Sequence, residues 1–372
     1  MQGNQLVDAD GKVVQLRGAD VSGLEFVAIQ GWSASNPWGN QAQIPGTLQA
    51  VKTWNLNAVR FPLNEASWLG LTTYDWPTGS QTSGTARQAD PGSNYRQTVI
   101  DSVNAATAAG LYVILDLHIS SPNALVPGIS GKVPTTPTVQ NAMADADHGT
   151  AFWTSVATAF KGNPAVIFDL FNEPHIDNFQ NVVNYRDATA WMALRDGGTC
   201  TQFITNSVTV NQNYQTAGMQ ALLDAVRATG ATNVVMVGGI SWAQDTSMWV
   251  TYAPVDPLHQ LAASWHAYPQ GFSGTAATVP GYGTANYTWA QAILSAGYPV
   301  IVGETGDHSA NGTVGAPFMA NFLPWADQYG VSVLGWTWNS WGGADDDLIK
   351  DATGTPTDGF GQAYKQWAVN HP

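Results

Sequence analysis

The sequence predicts a closed (β/α)8 barrel, and three observations carry that fold class. Eight short apolar runs alternate with stretches whose apolar residues recur every three or four positions. Several of those stretches end in a glycine turn that leads straight into the next apolar run. No Gly-x-Gly-x-x-Gly fingerprint follows the first run, which disfavours an open doubly wound sheet. A chain of 372 residues, 44% hydrophobic, is long enough for one core of that size.

Taken in order, Gln5-Leu6-Val7 and Val13-Val14-Gln15-Leu16 flank an Asp/Gly turn and read as a hairpin that caps the core. The strand candidates are Leu16–Asp20, Ala58–Phe61, Tyr112–Leu117, Val166–Phe171, Val234–Val237, Ala262–Trp265, Val300–Val302 and Val331–Trp336. Between them, Leu48-Val51-Trp54, Val99-Val103-Ala106, Phe152-Val156-Phe160, Met219-Leu222-Val226 and Trp289-Ile293 have the spacing of helices that cover a parallel sheet. Ala109-Gly110, Lys161-Gly162, Thr229-Gly230 and Ala296-Gly297 supply helix ends. Residues 69–94 and 119–150 are long, Gly/Ser/Thr/Pro-rich connections that a barrel would place on its C-terminal face as cleft walls. No repeat, charge block or linker divides the chain, so a single domain over 1–372 is expected.

The charge balance, 13 − 27 = −14, with the cations scattered singly, argues against nucleic-acid or anionic-membrane partners. Cys200 is the only cysteine, which excludes an intrachain disulfide and reads as a buried or loop thiol. No run of 18 apolar residues occurs, and Met1-Gln2-Gly3 does not open a signal peptide. An acidic, tryptophan-rich chain with 16 Trp fits a secreted, monomeric carbohydrate-active protein.

Glutamate is rare: Glu25, Glu65, Glu173 and Glu304 stand beside 23 aspartates. Two of them end buried strands, Glu173 after Ile167-Phe168-Asp169-Leu170-Phe171-Asn172 and Glu304 after Val300-Ile301-Val302-Gly303. The other strand ends carry Arg60, His118, Asn172, His266, Tyr268 and either Trp336 or Trp338, and a barrel gathers such residues into one pocket. Glycosidic cleavage needs two carboxyl groups, one protonated and one ionised. Arg60 and Tyr268 beside Glu304 would hold it ionised, leaving Glu173 as proton donor.

The chain resembles glycoside hydrolase family 5, the retaining β-glycanases. The resemblance is carried by Asn57-Ala58-Val59-Arg60-Phe61-Pro62, Ile114-Leu115-Asp116-Leu117-His118, Lys161-Gly162-Asn163-Pro164, Phe168-Asp169-Leu170-Phe171-Asn172-Glu173-Pro174-His175, Ser264-Trp265-His266-Ala267-Tyr268 and Val302-Gly303-Glu304. It implies Glu173 as general acid/base, Glu304 as nucleophile and Asn172 on the sugar 2-hydroxyl. It further implies that Arg60 and Tyr268 orient Glu304, and that His118 and His266 line the subsite at the cleaved bond. The carboxyl groups of a retaining enzyme stand about 5–5.5 Å apart. Two features depart from the family pattern: Thr305-Gly306 follows the nucleophile where an aromatic is frequent, and the tryptophan platform aligns with Trp336 or with Trp338. The implied activity is an endo-β-1,4-glucanase without cofactor or metal, with β-mannan and other β-glycans as alternative substrates.

Other classes have weaker support. A metal hydrolase built from His118, His175, His266 and His308 with Asp116 or Asp307 lacks His-x-His and His-Glu-x-x-His spacing. A binding-only barrel has no need of an acid and nucleophile pair. Asp345-Asp346-Asp347 reads as a solvated loop before a Ca²⁺ site. Trp32, Trp38, Trp68, Trp242 and Trp341 divide between cleft and core, and for Glu25 and Glu65 an ordinary hydrogen-bonded or exposed role is favoured over contact with substrate.

Overall fold

A computed structural model describes residues 1–30, 38, 44–74, 86–123, 140–176, 179–180, 182, 184, 186–205, 209–269, 282–307, 316–341 and 347–371. Trp32, His308, Asp345, Asp346 and the loop centres 75–85 and 124–139 lie outside the described residues.

Eight parallel strands close into a barrel in sequence order: Arg17–Asp20, Ala58–Asn64, Tyr112–Ile119, Val166–Asp169, Val235–Gly238, Leu261–Ala267, Val300–Thr305 and Ser332–Gly335. Closure is made by the eighth strand pairing with the first, Val333 opposite Arg17. Every strand position expected from the sequence is occupied. The N-terminal hairpin, Leu6–Val7 with Val13–Val14, also forms.

Alternation along the strands decides what fills the barrel. Leu16, just before the first strand, and Ala58, Ile114, Ile167, Met236, Ala262, Ile301 and Leu334, one from each of the other seven, form an apolar layer together with Leu6 of the hairpin. Two residues further along, the same inward face turns polar: Arg60, Asp116, Asp169 and Ser264 follow Ala58, Ile114, Ile167 and Ala262. Their neighbours Val59, Phe61, Val113, Leu115 and Phe168 face outward into the larger core between sheet and helices. The barrel therefore has an apolar floor and a charged mouth.

Helices such as Tyr95–Ala108, Gly149–Phe160 and Met219–Ala228 bury the predicted apolar stripes. Gly110, Gly230 and Gly297 adopt the left-handed φ expected at helix ends, whereas Gly162 does not. Two features go beyond the sequence reading. Thr72–Tyr74 pairs with Ala86–Gln88 inside the first long connection. Gly197–Thr205 and Thr209–Ala217 form a long antiparallel hairpin after the helix Ala188–Asp196. Its strands are rich in Thr, Gln and Asn rather than alternating apolar residues, so periodicity does not reveal it. Cys200 is buried in that hairpin, opposite Tyr214. Among the described residues, no helix is long and apolar enough to cross a membrane.

Candidate active site

Arg60 occupies the centre of the polar layer and is fully buried. One guanidinium nitrogen donates to Asp20 Oδ1 and Glu304 Oε1, both at 2.9 Å. The other donates to Asn172 Oδ1 at 2.8 Å and lies 3.1 Å from Asp116 Oδ2 and 3.3 Å from Asp169 Oδ2. Sequence reasoning does not single out Asp20, Asp116 and Asp169 as supports; a carboxylate within or closing an otherwise apolar strand is the signal that could have found them. Four carboxylates around one cation leave a surplus of negative charge. Burial accordingly pushes Asp20 well above the usual carboxylate range and Asp169 up to about 7, with Arg60 opposing in both.

Glu304 ends the seventh strand. Besides Arg60, it accepts from the Tyr268 hydroxyl at 3.0 Å, and His266 Nδ1 stands 3.5 Å from its Oε2. Gly303 is required next to it: a Cβ there would lie 3.1 Å from both His266 Nε2 and Ser264 Oγ, so a side chain would displace His266. Burial lowers the His266 imidazole to about 4, outweighing the pull of Glu304, so the ring is neutral near pH 7.

Glu173 leaves the fourth strand through a turn in which its own φ is 50°, a left-handed conformation that costs a glutamate about 1–3 kcal/mol. The turn is held from several sides. Gln140 Nε2 donates to Asn172 O at 3.2 Å and to Glu173 Oε2 at 3.3 Å, and His175 Nδ1 lies 3.1 Å from Glu173 O. His266 Nδ1 is 3.1 Å from Glu173 Oε1, and a proton on either partner satisfies that contact. Burial pushes the Glu173 carboxyl above its ordinary value, with His118 opposing. Its side chain still keeps 19% exposure, enough to meet a substrate. Gln140 lies in a long connection with no motif around it, and only the structure brings it here.

The pair and His266 converge: one atom from each of Glu173, His266 and Glu304 lies within 4.8 Å of the others. Two carboxylates and a buried, neutral imidazole at this separation also have the chemistry of a metal site. The hydrogen bonds from Arg60 and Tyr268 already occupy Glu304, however, and a cation beside Arg60 would be repelled.

His118 ends the third strand with Nδ1 2.9 Å from Asp116 Oδ2 and Nε2 3.3 Å from Asn172 Nδ2. Its ring stacks on Trp336, centroids 5.6 Å apart and planes 11° from parallel. Burial alone would lower the imidazole, but Asp116 prevails and raises it to about 9. A pKa raised on folding stabilises the protein fully below the unfolded value of about 6.5, and that stability is lost as pH rises through 9. Wild type minus His118→Asn, measured by urea unfolding, should therefore lose on the order of 2–3 kcal/mol between pH 6 and pH 9.5.

The two tryptophan registers part here. Trp336 reaches the site on His118, and the Trp336–Thr337 peptide bond is cis. Trp338 does not reach it: the indole is 1% exposed and packs edgewise on Trp54 at 4.7 Å. The strand has ended at Gly335, and the chain turns outward so that Trp338 faces the core. Trp338→Ala should cost about 3–5 kcal/mol of stability by chemical denaturation. Trp336→Ala should instead raise KM about tenfold with stability nearly unchanged.

Of the other sequence candidates, Trp38 and Trp68 are core residues, whereas Trp242 and Trp341 are 42% and 51% exposed. Glu25 accepts from Gly23 N at 2.6 Å and from the Ser22 hydroxyl. Glu65 accepts from Ser121 N at 2.6 Å, so both are hydrogen-bonded supports. Asp307 accepts from Met319 N at 3.0 Å, near the start of a helix. Asp347, the one described member of its acidic run, is buried.

Known proteins share this architecture. A β-glucanase, SdGluc5_26A from Saccharophagus degradans, superposes with a TM-score of 0.66 at 20% identity, covering 99% of this chain and 92% of that one. Endoglucanase MaCel5A from Microbulbifer sp. is 24% identical over 92% of this chain and 50% of its own length. A mannan endo-1,4-beta-mannosidase from Streptomyces lividans is 31% identical over 42% of this chain and 39% of its own length. The chain thus spans half or less of these two relatives. The family model for cellulase, glycosyl hydrolase family 5, matches residues 7–342, and the chain belongs to that family.

Proposed function

We propose that this chain is a retaining endo-β-1,4-glucanase whose nucleophile is Glu304 and whose general acid/base is Glu173, carried by a single catalytic domain over 1–372. The observation that carries the reading is the approach of the two carboxyl groups to within 4.8 Å, oxygen to oxygen. An approach this close of one oxygen from each group is compatible with the carboxyl separation of about 5–5.5 Å in retaining pairs.

In the first displacement Glu304 attacks the anomeric carbon while the glycosidic C–O bond breaks, and the Glu173 proton goes to the leaving oxygen. Burial raises Glu173 in the direction that favours the protonated form this step requires. In the second, Glu173, now a carboxylate, takes a proton from water as the water oxygen displaces Glu304 from the anomeric carbon. Arg60 and Tyr268 hold the attacking oxygens of Glu304 in place. Asn172, itself fixed by Arg60, takes the sugar 2-hydroxyl. The Trp336 indole supplies the floor for the ring, with His118 and His266 on either side.

The substrate assignment draws support from the endoglucanase among the relatives, with β-mannan second because a mannosidase is also among them. A secreted, monomeric state fits an acidic protein acting on a polysaccharide. Carboxymethylcellulose, barley β-glucan and galactomannan, assayed for reducing ends with product sizing, test the reading. We expect falling viscosity and short oligosaccharides from the glucans. Absence of hydrolysis on every β-glycan and aryl β-glycoside sinks the reading.

A further inference from the structure

We propose that Glu65, Asp145 and His148 form a site, separate from the two catalytic carboxyl groups, that takes one divalent transition-metal cation of the Zn²⁺ or Mn²⁺ kind as a structural clamp. One ligand atom from each of the three lies within 4.8 Å of the others. Glu65 is fully buried, and its Oε1 has no hydrogen-bond partner. A buried carboxylate oxygen left without a donor is costly, and here it faces two further ligand groups. The rest of the cluster is held in place. Ser121 N donates to Glu65 Oε2 at 2.6 Å and to Asp145 Oδ2 at 2.9 Å, which sets the two carboxyl groups side by side. His148 N donates to Asp145 Oδ1 at 2.8 Å, and the imidazole Nδ1 stands 3.5 Å from the same oxygen.

The charge balance calls for a cation. Burial, and after it Asp145 and Asp147, push the Glu65 carboxyl well above its usual range, so the site holds more negative charge than its surroundings offset. Among the described residues, neither Glu65 nor Asp145 has an arginine or lysine partner, unlike Glu304 beside Arg60. A proton shared by the pair neutralises one carboxylate. A divalent ion neutralises both and takes up the unpartnered oxygen. Two carboxylates with an imidazole nitrogen suit Zn²⁺ or Mn²⁺, whereas Ca²⁺ is held by oxygen ligands.

The ligands come from separate parts of the barrel mouth. Glu65 opens the helix Glu65–Leu69 after the second strand, and Asp145 and His148 precede the helix Gly149–Phe160 after the third. The stretch that ends in His148 begins with Gln140, bonded to Glu173, and its Ala142 O accepts from His175 N at 3.0 Å. It is also tied to the long hairpin, where Ala146 N donates to Gln215 O at 2.8 Å and Ala217 N to Ala144 O at 3.0 Å. An ion at the cluster would therefore pin a segment that bears on both the catalytic turn and the hairpin.

Metal content and thermal unfolding of the untagged chain test this, and neither readout depends on hydrolysis. After stripping with dipicolinate, the wild type should rebind one equivalent of Zn²⁺ or Mn²⁺ per chain by plasma mass spectrometry. At roughly a hundredfold excess over Kd the ion should raise Tm by about 3–5 °C. Glu65→Gln should lose both the shift and the bound equivalent. So should His148→Gln, which leaves the buried carboxyl pair intact and carries the comparison if Glu65→Gln does not fold. Glu173→Gln should keep both. No bound equivalent and no shift in stripped wild type would overturn the proposal, as would a shift with Ca²⁺ alone. A shift that survives the cluster variants, or that disappears in Glu173→Gln, would overturn it too, the latter by placing the ion on the catalytic pair.

Discussion

Glu304→Ala should lower kcat on β-glucan by on the order of 10⁴-fold or more, since no other carboxylate can form the covalent intermediate. The fold should survive, because Arg60 retains Asp20, Asp116, Asp169 and Asn172 as partners. The variant separates roles when azide is added. A small anion filling the vacated space attacks the anomeric carbon of an activated aryl glycoside and yields the α-glycosyl azide. Glu173→Ala should behave differently, losing about 10²–10⁴-fold on polysaccharide but far less on a dinitrophenyl glycoside, whose leaving group needs no proton. There azide, an anion that needs no general base, displaces Glu304 from the glycosyl-enzyme and yields the β-azide. Identical products from the two variants would refute the assignment of nucleophile and acid.

Arg60→Met should destabilise the protein by about 3–5 kcal/mol near pH 7, because it strands Asp20, Asp116, Asp169 and Glu304 without their shared cation. The defect should shrink at low pH. In wild type, Asp169 titrates at about 7, above its unfolded value, so its contribution is present in acid and lost as pH rises toward that value. Removing the cation raises Asp20 and Asp169 further, so the variant goes on losing stability above pH 7, where wild-type Asp169 has finished titrating. Urea unfolding at pH 5 and pH 8 reads the difference. A loss independent of pH would point to packing alone.

Much of this arrangement was legible because a barrel repeats one local rule. Each strand declared itself as an apolar run, and alternation then sent Ala58 and Arg60, or Ile114 and Asp116, to one face. The rare glutamates at two strand ends marked the chemistry. What periodicity missed were segments whose order comes from elsewhere. The hairpin Gly197–Ala217 is held by its ladder and by Cys200 and Tyr214 turned inward, not by an apolar stripe. Gln140 bonds Glu173 from 33 residues away in the chain, a long-range contact that no local pattern marks.

Strand periodicity in the sequence was enough to give the barrel and the residues at its strand ends, because side-chain direction in a strand follows from position alone. Tertiary structure decided what local pattern leaves open beyond the strand ends. It placed Trp336 on His118 and sent Trp338 into the core against Trp54, two residues apart in one aromatic run. It also turned Trp242 back onto His175 through backbone angles that no residue preference foretells. Past the last strand residue the chain is steered by long-range contacts, and those exist only once the barrel has closed.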